Sequence, residues 1–121
     1  MTKNQRILFW ALKLPVALLI LFSAFSYLSL SPEVVEGMTK IGFPLFFLKI
    51  LAPAKILGAI ALLYPRFPTL TEWAYAGFTF VFIGAAMTHY FVGDPTPKIV
   101  IPLVVLAIHL GSYRLWRMRL K

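Results

Sequence analysis

Apolar residues in this chain come in four long blocks, and most charged residues lie between the blocks or at their ends. A helix of about 20 apolar residues is long enough to cross the hydrocarbon core of a bilayer. The pattern therefore predicts an all-α membrane protein, in which four transmembrane helices form a bundle and one domain covers residues 1–121. The predicted spans are residues 7–30, 44–64, 72–92 and 99–116.

A shorter segment with its own helical period lies between the first two blocks. Ser31 followed by Pro32 is typical of a helix start, and Gly42 with Pro44 is typical of a helix end. The apolar side of the segment consists of Val34, Val35, Met38 and Ile41. One apolar side and one charged side predict a short interfacial helix after the first span.

Proline-rich turns separate the later blocks. The segment from Pro65 to Pro68 predicts a tight, non-helical connection, and the next helix is expected to begin near Glu72. Residues 93–97 combine a glycine, an aspartate and two prolines, which predicts a second tight turn. Consecutive spans are therefore expected to run antiparallel.

Composition narrows the class of protein. The chain is 60% hydrophobic and 13% charged, so it lacks the polar surface that a soluble domain of this size needs. The net charge of +8 comes from cations at block ends, which suits the bilayer and its anionic headgroups as partners and argues against nucleic acid. With no cysteine and two histidines, the chain has no thiol chemistry of its own and an incomplete metal-ligand set. No metal site is predicted.

The distribution of charge predicts the orientation. Lys3, Arg6, Arg66 and the cations of residues 114–121 fall on one side of the predicted bundle. The other side receives two cations and most of the acids: Lys40, Lys98, Glu33, Glu36 and Asp94. By the positive-inside rule, both termini are expected to be cytoplasmic. The first block also has features of a signal peptide, but residues 24–26 form a poor cleavage site, so we expect a retained first span.

Three lysines lie inside predicted spans, and one of them, Lys49, is near enough to the end of its span to extend to the headgroups. Lys55 is about eleven residues into the second span, near the midplane, where an ionisable side chain is costly and is a candidate functional group. It either anchors an anionic or quinone-like ligand, or is a structural lysine paired with a carboxylate or with a carbonyl group released by Pro53. Lys13 is closer to the end of its span and is expected to extend to the headgroups.

Small and weakly polar residues predict helix contacts. Ser23, Ser26 and Tyr27 form a strip on one face of the first span and should face other helices. Gly58 is expected to leave space beside Lys55 for a neighbouring helix. In the third span two further glycines, Gly77 and Gly84, lie seven residues apart and suit close helix packing.

Both histidines are secondary candidates. His89 lies at the outer end of the third span, where a pair with Glu36 would relay protons or bind a metal, although two histidines make an incomplete ligand set. The alternative is an interfacial histidine that ends an aromatic stripe. That stripe contains Tyr75 and Phe82 and suits either core packing or a flat quinone ring. His109 lies at mid-depth in the fourth span, and we expect it to be neutral and hydrogen-bonded within the bundle.

Several segments together resemble the bacterial DoxX-like membrane proteins, and the resemblance covers nearly the whole chain. They are Glu36 with residues 41–44, Lys55 with Gly58 and Ala59, Pro65 to Pro68 followed by residues 72–77, and Gly84-Ala85 with His89 and Gly93-Asp94. The resemblance implies a four-helix protein of the bacterial inner membrane. The family takes its name from a subunit of thiosulfate:quinone oxidoreductase, and most of its members have no established activity. One departure is at the end of the first span, where Ala24 and Tyr27 occupy the positions of an expected glycine and lysine.

These observations lead to three functional hypotheses. The first is a polar intramembrane pocket lined by Glu36, Lys55 and His89, in which quinone is the possible cofactor and the electrons come from a redox partner. The second is a non-catalytic membrane subunit or scaffold of a larger complex, and the third is a small-solute transporter. The sequence alone does not predict whether the chain is an enzyme or whether it forms a homo-oligomer.

Overall fold

The structure, a computed structural model, describes residues 2–64 and 66–119, with only the backbone of Arg119. These residues form five α-helices. The helices are α1 (Lys3–Leu28), α2 (Pro32–Ile41), α3 (Phe46–Leu63), α4 (Pro68–Phe91) and α5 (Thr96–Arg119). All but α2 are long and apolar enough to cross a membrane. The predicted fold class, including the short helix after the first span, is confirmed.

Some helices begin earlier than predicted, and local capping explains why. The helix α1 begins at Lys3 because Thr2 and Gln5 form a reciprocal capping box around its first turn. The helix α4 begins at Pro68 rather than near Glu72 because proline, which has a fixed φ and no N–H group, suits a first helical turn. The helix α5 likewise includes the predicted turn residues from Thr96 onward.

Three helices end in the same hydrogen-bonded motif. After α1, α2 and α4, a residue with positive φ is followed by a backbone N–H that bonds back to a carbonyl in the last turn. The residues with positive φ are Leu30, Gly42 and Gly93, with φ values of 53°, 84° and 78°. These motifs turn the chain sharply, and all three lie at the end of the bundle that carries α2, which we call the α2 end.

The four long helices form a closed ring of contacts. The helix α1 packs against α3 and α5, and α4 packs against α5 and α3. The opposite end, where α1 begins, α5 ends and α3 joins α4, is called the terminal end. Its core contains large rings, among them Phe9, Tyr75, Phe78 and Trp116. Large apolar side chains such as Phe22, Phe80 and Phe91 are exposed on the outside, as expected of a surface covered by lipid.

Only one of the predicted close-packing glycines in the middle of the bundle has a close neighbour. A Cβ atom on Gly58 would lie 2.7 Å from two ring atoms of Phe78, so α4 does approach α3 at this glycine. Around Gly77 and Gly84, by contrast, no such neighbour lies within 4 Å of a built Cβ among the described residues. The prediction that these two glycines support close contact within the bundle is wrong.

Lys13 is not where the sequence predicted. Its side chain is 2% exposed, and its Nζ atom lies 4.5 Å from the ring centroid of Phe9, 5.3 Å from that of Trp10 and 5.8 Å from that of Tyr75. Electron-rich ring faces attract a cation, so the ammonium group turns into the bundle instead of extending to the headgroups.

Candidate functional site

Lys55 is the tenth residue of the 18-residue helix α3 and is half-buried. Its Nζ atom donates a hydrogen bond to Ser23 Oγ at 2.9 Å and lies 4.2 Å from the ring centroid of Tyr27. Both partners belong to α1, so the predicted polar strip on that helix does face another helix. The lysine is held by a hydroxyl and an aromatic face, and a carboxylate partner is not among its contacts in the described part of the chain.

A groove of about 630 Å³ runs between α3 and α4. Its walls include Leu51, Lys55 and Gly58 of α3 and Ala74, Gly77 and Val81 of α4. Phe78 lines it as well, where its ring covers Gly58. The two helices touch where the ring of Phe78 lies against Gly58, and a Cβ on Gly77 would face open space. The groove is open toward the lipid. Its surface is almost entirely apolar, so it suits an apolar molecule or chain.

The predicted pair of His89 and Glu36 is not formed. His89 Nδ1 lies 2.6 Å from Asp94 Oδ2. The other carboxylate oxygen of Asp94 accepts a hydrogen bond of 2.5 Å from Lys40 Nζ. Glu36 is exposed on α2 and takes no part in this cluster. Asp94 therefore ties the interfacial helix, through Lys40, to the end of α4. Among the described residues, no hydrogen bond or ion pair joins Glu36, Lys55 and His89 to one another.

The stability of the protein should fall at low pH because Asp94 becomes protonated there. The hydrogen bond with His89, then that with Lys40, lowers the pKa of Asp94 to about 2. An unfolded aspartate titrates near pH 4, so the stabilisation is complete above about pH 4 and is lost as the pH falls toward about 2. We expect the midpoint of thermal unfolding in nanodiscs to fall over this range, and Asp94→Asn to remove that part of the fall. Glu36→Gln is the matched control; an equal effect of both substitutions would contradict the prediction.

The secondary candidates lie together in the bundle core. Tyr75, Phe82 and His109 are all buried, and the ring centroids of Tyr75 and His109 are 5.0 Å apart. His109 Nε2 lies 3.1 Å from the backbone oxygen of Tyr75; a carbonyl oxygen only accepts, so this nitrogen carries the proton. The Tyr75 hydroxyl bonds to Ser112 Oγ at 2.6 Å. The predicted hydrogen bond of His109 within the bundle is confirmed, and the aromatic stripe is part of the packed core.

Near the terminal end a carboxylate joins α4 to α5. Glu72 Oε1 accepts a hydrogen bond of 2.5 Å from the Tyr113 hydroxyl, and Glu72 Oε2 lies 3.6 Å from Arg117 Nη1. Thr71 beside it donates to the backbone oxygen of Ala61 at 3.1 Å, which joins α4 to α3. Through these neighbouring residues α4 is fixed to both of its partner helices.

The groove offers an apolar surface with few polar groups. Within the described residues, no three side chains of His, Asp or Glu come together as metal ligands. Among the described residues of the groove wall, Lys55 is the one that carries a charge. If a cofactor binds there, Lys55 is the residue that would hold its polar part.

Four antiparallel apolar helices with a lipid-exposed outer surface define a small polytopic membrane protein. The sequence model of the DoxX-like family matches residues 11–112, and the chain belongs to that family. The resemblance predicted from its motifs is thereby confirmed. No curated protein and no solved structure matches the chain.

Proposed function

We propose that this protein binds a lipid-soluble, quinone-like molecule within the bilayer, with the ring beside Lys55 in the groove between α3 and α4. The observation that carries the proposal is the position of Lys55, a cation halfway along α3 in the wall of an otherwise apolar groove. Ligand sites are commonly apolar cavities with a few polar groups that fix orientation. A cation in the spanning part of a helix is, moreover, a candidate functional group.

The chemistry of Lys55 suits a carbonyl oxygen. An ammonium group has three N–H donors, and the hydrogen bond to Ser23 uses one of them. The flexible four-carbon stem lets the ammonium group turn toward the groove without moving the backbone. The carbonyl oxygen of a quinone accepts hydrogen bonds. Because the quinone molecule dissolves in the bilayer, it reaches the groove laterally, without passing through water.

Electron transfer would require a partner. Reduction of a quinone to the quinol consumes two electrons and two protons, and this chain, which has no cysteine, offers no thiol couple to supply the electrons. We therefore propose a quinone-binding membrane subunit that receives electrons from a redox partner protein. The proposed location is the bacterial inner membrane, with both termini in the cytoplasm as the charge distribution favours.

Quinone binding tests the proposal directly. Trp73 lies in the groove wall, so a bound quinone should quench its fluorescence; the probe is a tailless benzoquinone added to protein in nanodiscs. Loss of a hydrogen bond from a charged donor should weaken binding by roughly tenfold or more in Lys55→Met. Lys49→Met, an exposed lysine on the same helix outside the groove wall, should bind as the unsubstituted protein does.

The same measurements separate the proposal from the scaffold hypothesis. If Lys55→Met lowers the thermal unfolding midpoint but leaves quinone affinity unchanged, Lys55 only holds α3 against α1, and the chain is better described as a structural subunit. Trp73→Phe shows whether the signal comes from the groove, because the quenching should disappear in that variant while Trp10 and Trp116 remain.

A further inference from the structure

We infer that the groove between α3 and α4 holds the apolar tail of this ligand, and that the tail runs from Lys55 toward the terminal end of the bundle. The inference rests on the proposed function, because it takes the ring to lie beside Lys55. It also names the ligand class more closely: an amphiphile with a carbonyl-bearing ring and a long apolar tail, rather than a small water-soluble quinone.

The position of Lys55 along the groove sets the direction of the tail. Toward the α2 end, the groove extends from Lys55 by about one helical turn, to Leu51 on the same helix. Toward the terminal end it continues past Gly58 and Ala61 as far as Tyr64. Most of the groove therefore lies on the terminal side of the lysine, and the lining there is mostly apolar.

The part of the groove on the terminal side of Lys55 is nearly as long as one leaflet of a bilayer is deep. Lys55 and Tyr64 both line it, and at a rise of 1.5 Å per residue the helix between them is about 14 Å long. Half of a hydrocarbon core is about 15 Å thick. A ring beside Lys55 can therefore extend a tail along the groove through nearly the whole depth of one leaflet.

A covalent link to the ring distinguishes this tail from surrounding lipid chains. The groove is open to the bilayer, so a lipid chain can also enter it, and the hydrophobic effect does not favour either occupant because both come from an apolar solvent. Once the ring is bound at Lys55, however, its tail is present beside the groove at a high effective concentration. The bound tail therefore displaces lipid chains that have no such anchor.

Two glycines of α4 provide a matched pair for the test. Gly77 lines the groove and Gly84 does not, although a Cβ on either would meet no described neighbour within 4 Å. They lie two helical turns apart, and both are exposed. A leucine at 77 would occupy the groove, whereas a leucine at 84 would point into open space. Differences between the two variants therefore report on the groove and not on α4 in general.

The experiment uses a benzoquinone whose decyl tail ends in a photoreactive diazirine, added to the protein in nanodiscs. Peptide mass spectrometry should locate the label on groove residues between 58 and 74, on the terminal side of Lys55. Gly77→Leu should reduce this labelling at least about fivefold, and Gly84→Leu should leave it unchanged. The affinity of tailless benzoquinone should be the same in Gly84→Leu as in the unsubstituted protein.

Two outcomes overturn the inference in different ways. Labelling at the α2 end, or equal groove labelling in both leucine variants, shows that the tail lies elsewhere, while Lys55-dependent binding of the tailless ring would leave the proposed function intact. Tailless binding that does not depend on Lys55 overturns the proposed function and the inference with it. The label position in the unsubstituted protein decides the direction of the tail even if Gly77→Leu folds poorly.

Discussion

Tyr75→Ala is expected to destabilise the bundle by about 3–5 kcal/mol, the usual cost of truncating a large buried aromatic side chain. The side chain is 2% exposed, and its ring lies 5.0 to 5.6 Å, between centroids, from His109, Tyr113 and Trp116. Truncation also removes the Tyr75 hydroxyl, which lies 2.6 Å from Ser112 Oγ, so the Ser112 hydroxyl loses this hydrogen-bond partner. The loss should appear as a lower midpoint of thermal or detergent-induced unfolding in purified protein.

Two other variants divide this effect into its parts. Tyr75→Phe keeps the ring and removes the hydroxyl, so its cost should be about 1 kcal/mol. Tyr90→Ala removes an exposed tyrosine from the same helix and should change stability little. A Tyr75→Ala variant that unfolds at the same midpoint as Tyr90→Ala would contradict the structure of the core.

Gly58→Val is the second change with a large expected effect, because the new side chain would collide with a buried ring. A single Cβ already lies 2.7 Å from Phe78 Cε2 and Cζ, and Phe78 is confined by Phe82 and His109, whose ring centroids are 6.4 and 6.3 Å away. Overpacking of this kind typically costs about 1–3 kcal/mol, and the two γ-methyl groups place valine at the upper end. The unfolding midpoint should fall, and the groove wall should shift with Phe78.

Gly77→Ala is the matched control for that prediction. It places a methyl group in open space on the facing helix, where replacing a helical glycine by alanine should stabilise by up to about 1 kcal/mol. Gly58→Ala combined with Phe78→Leu should recover part of the loss seen in Gly58→Ala alone, since the two positions are in contact. Additive effects of the two substitutions would show that the close approach of α3 and α4 is absent.

The sequence was sufficient for the fold because membrane helices follow simple physical rules. Four apolar blocks predict four spanning helices, since backbone polar groups in lipid must be satisfied within each helix. The boundaries were harder to predict, as Lys3 and Pro68 show: the hydropathy pattern marks where lipid contact begins, whereas a capping box or an N-terminal proline extends the helix beyond it. Hydropathy also gives no information on whether a glycine faces a neighbour, which is why Gly58 and Gly77 differ.

The site was predictable in part. The sequence singled out Lys55 and the strip containing Ser23 and Tyr27, which the structure brings together. It missed Asp94 as the partner of His89, although the spacing contained a signal. Glycine is typical of the left-handed position that follows a helix, and Gly93 occupies it. The backbone N–H of the next residue, Asp94, then donates to the backbone oxygen of His89, five positions earlier. That motif places the Asp94 side chain beside the imidazole.

The buried position of Lys13 has a consequence for the insertion of the protein into the membrane during synthesis. A lysine inside a membrane helix raises the free energy of insertion, by about 2.5–3.5 kcal/mol at the helix centre and by less toward the ends. The rings that receive its ammonium group come partly from α1 itself and partly from Tyr75, which is synthesised more than 60 residues later. The first helix therefore enters the bilayer before its full environment exists. Nascent chains that stop before Tyr75 lack one of the three rings around the Lys13 ammonium group, and we expect membrane quality-control proteases to degrade them faster than chains that include it.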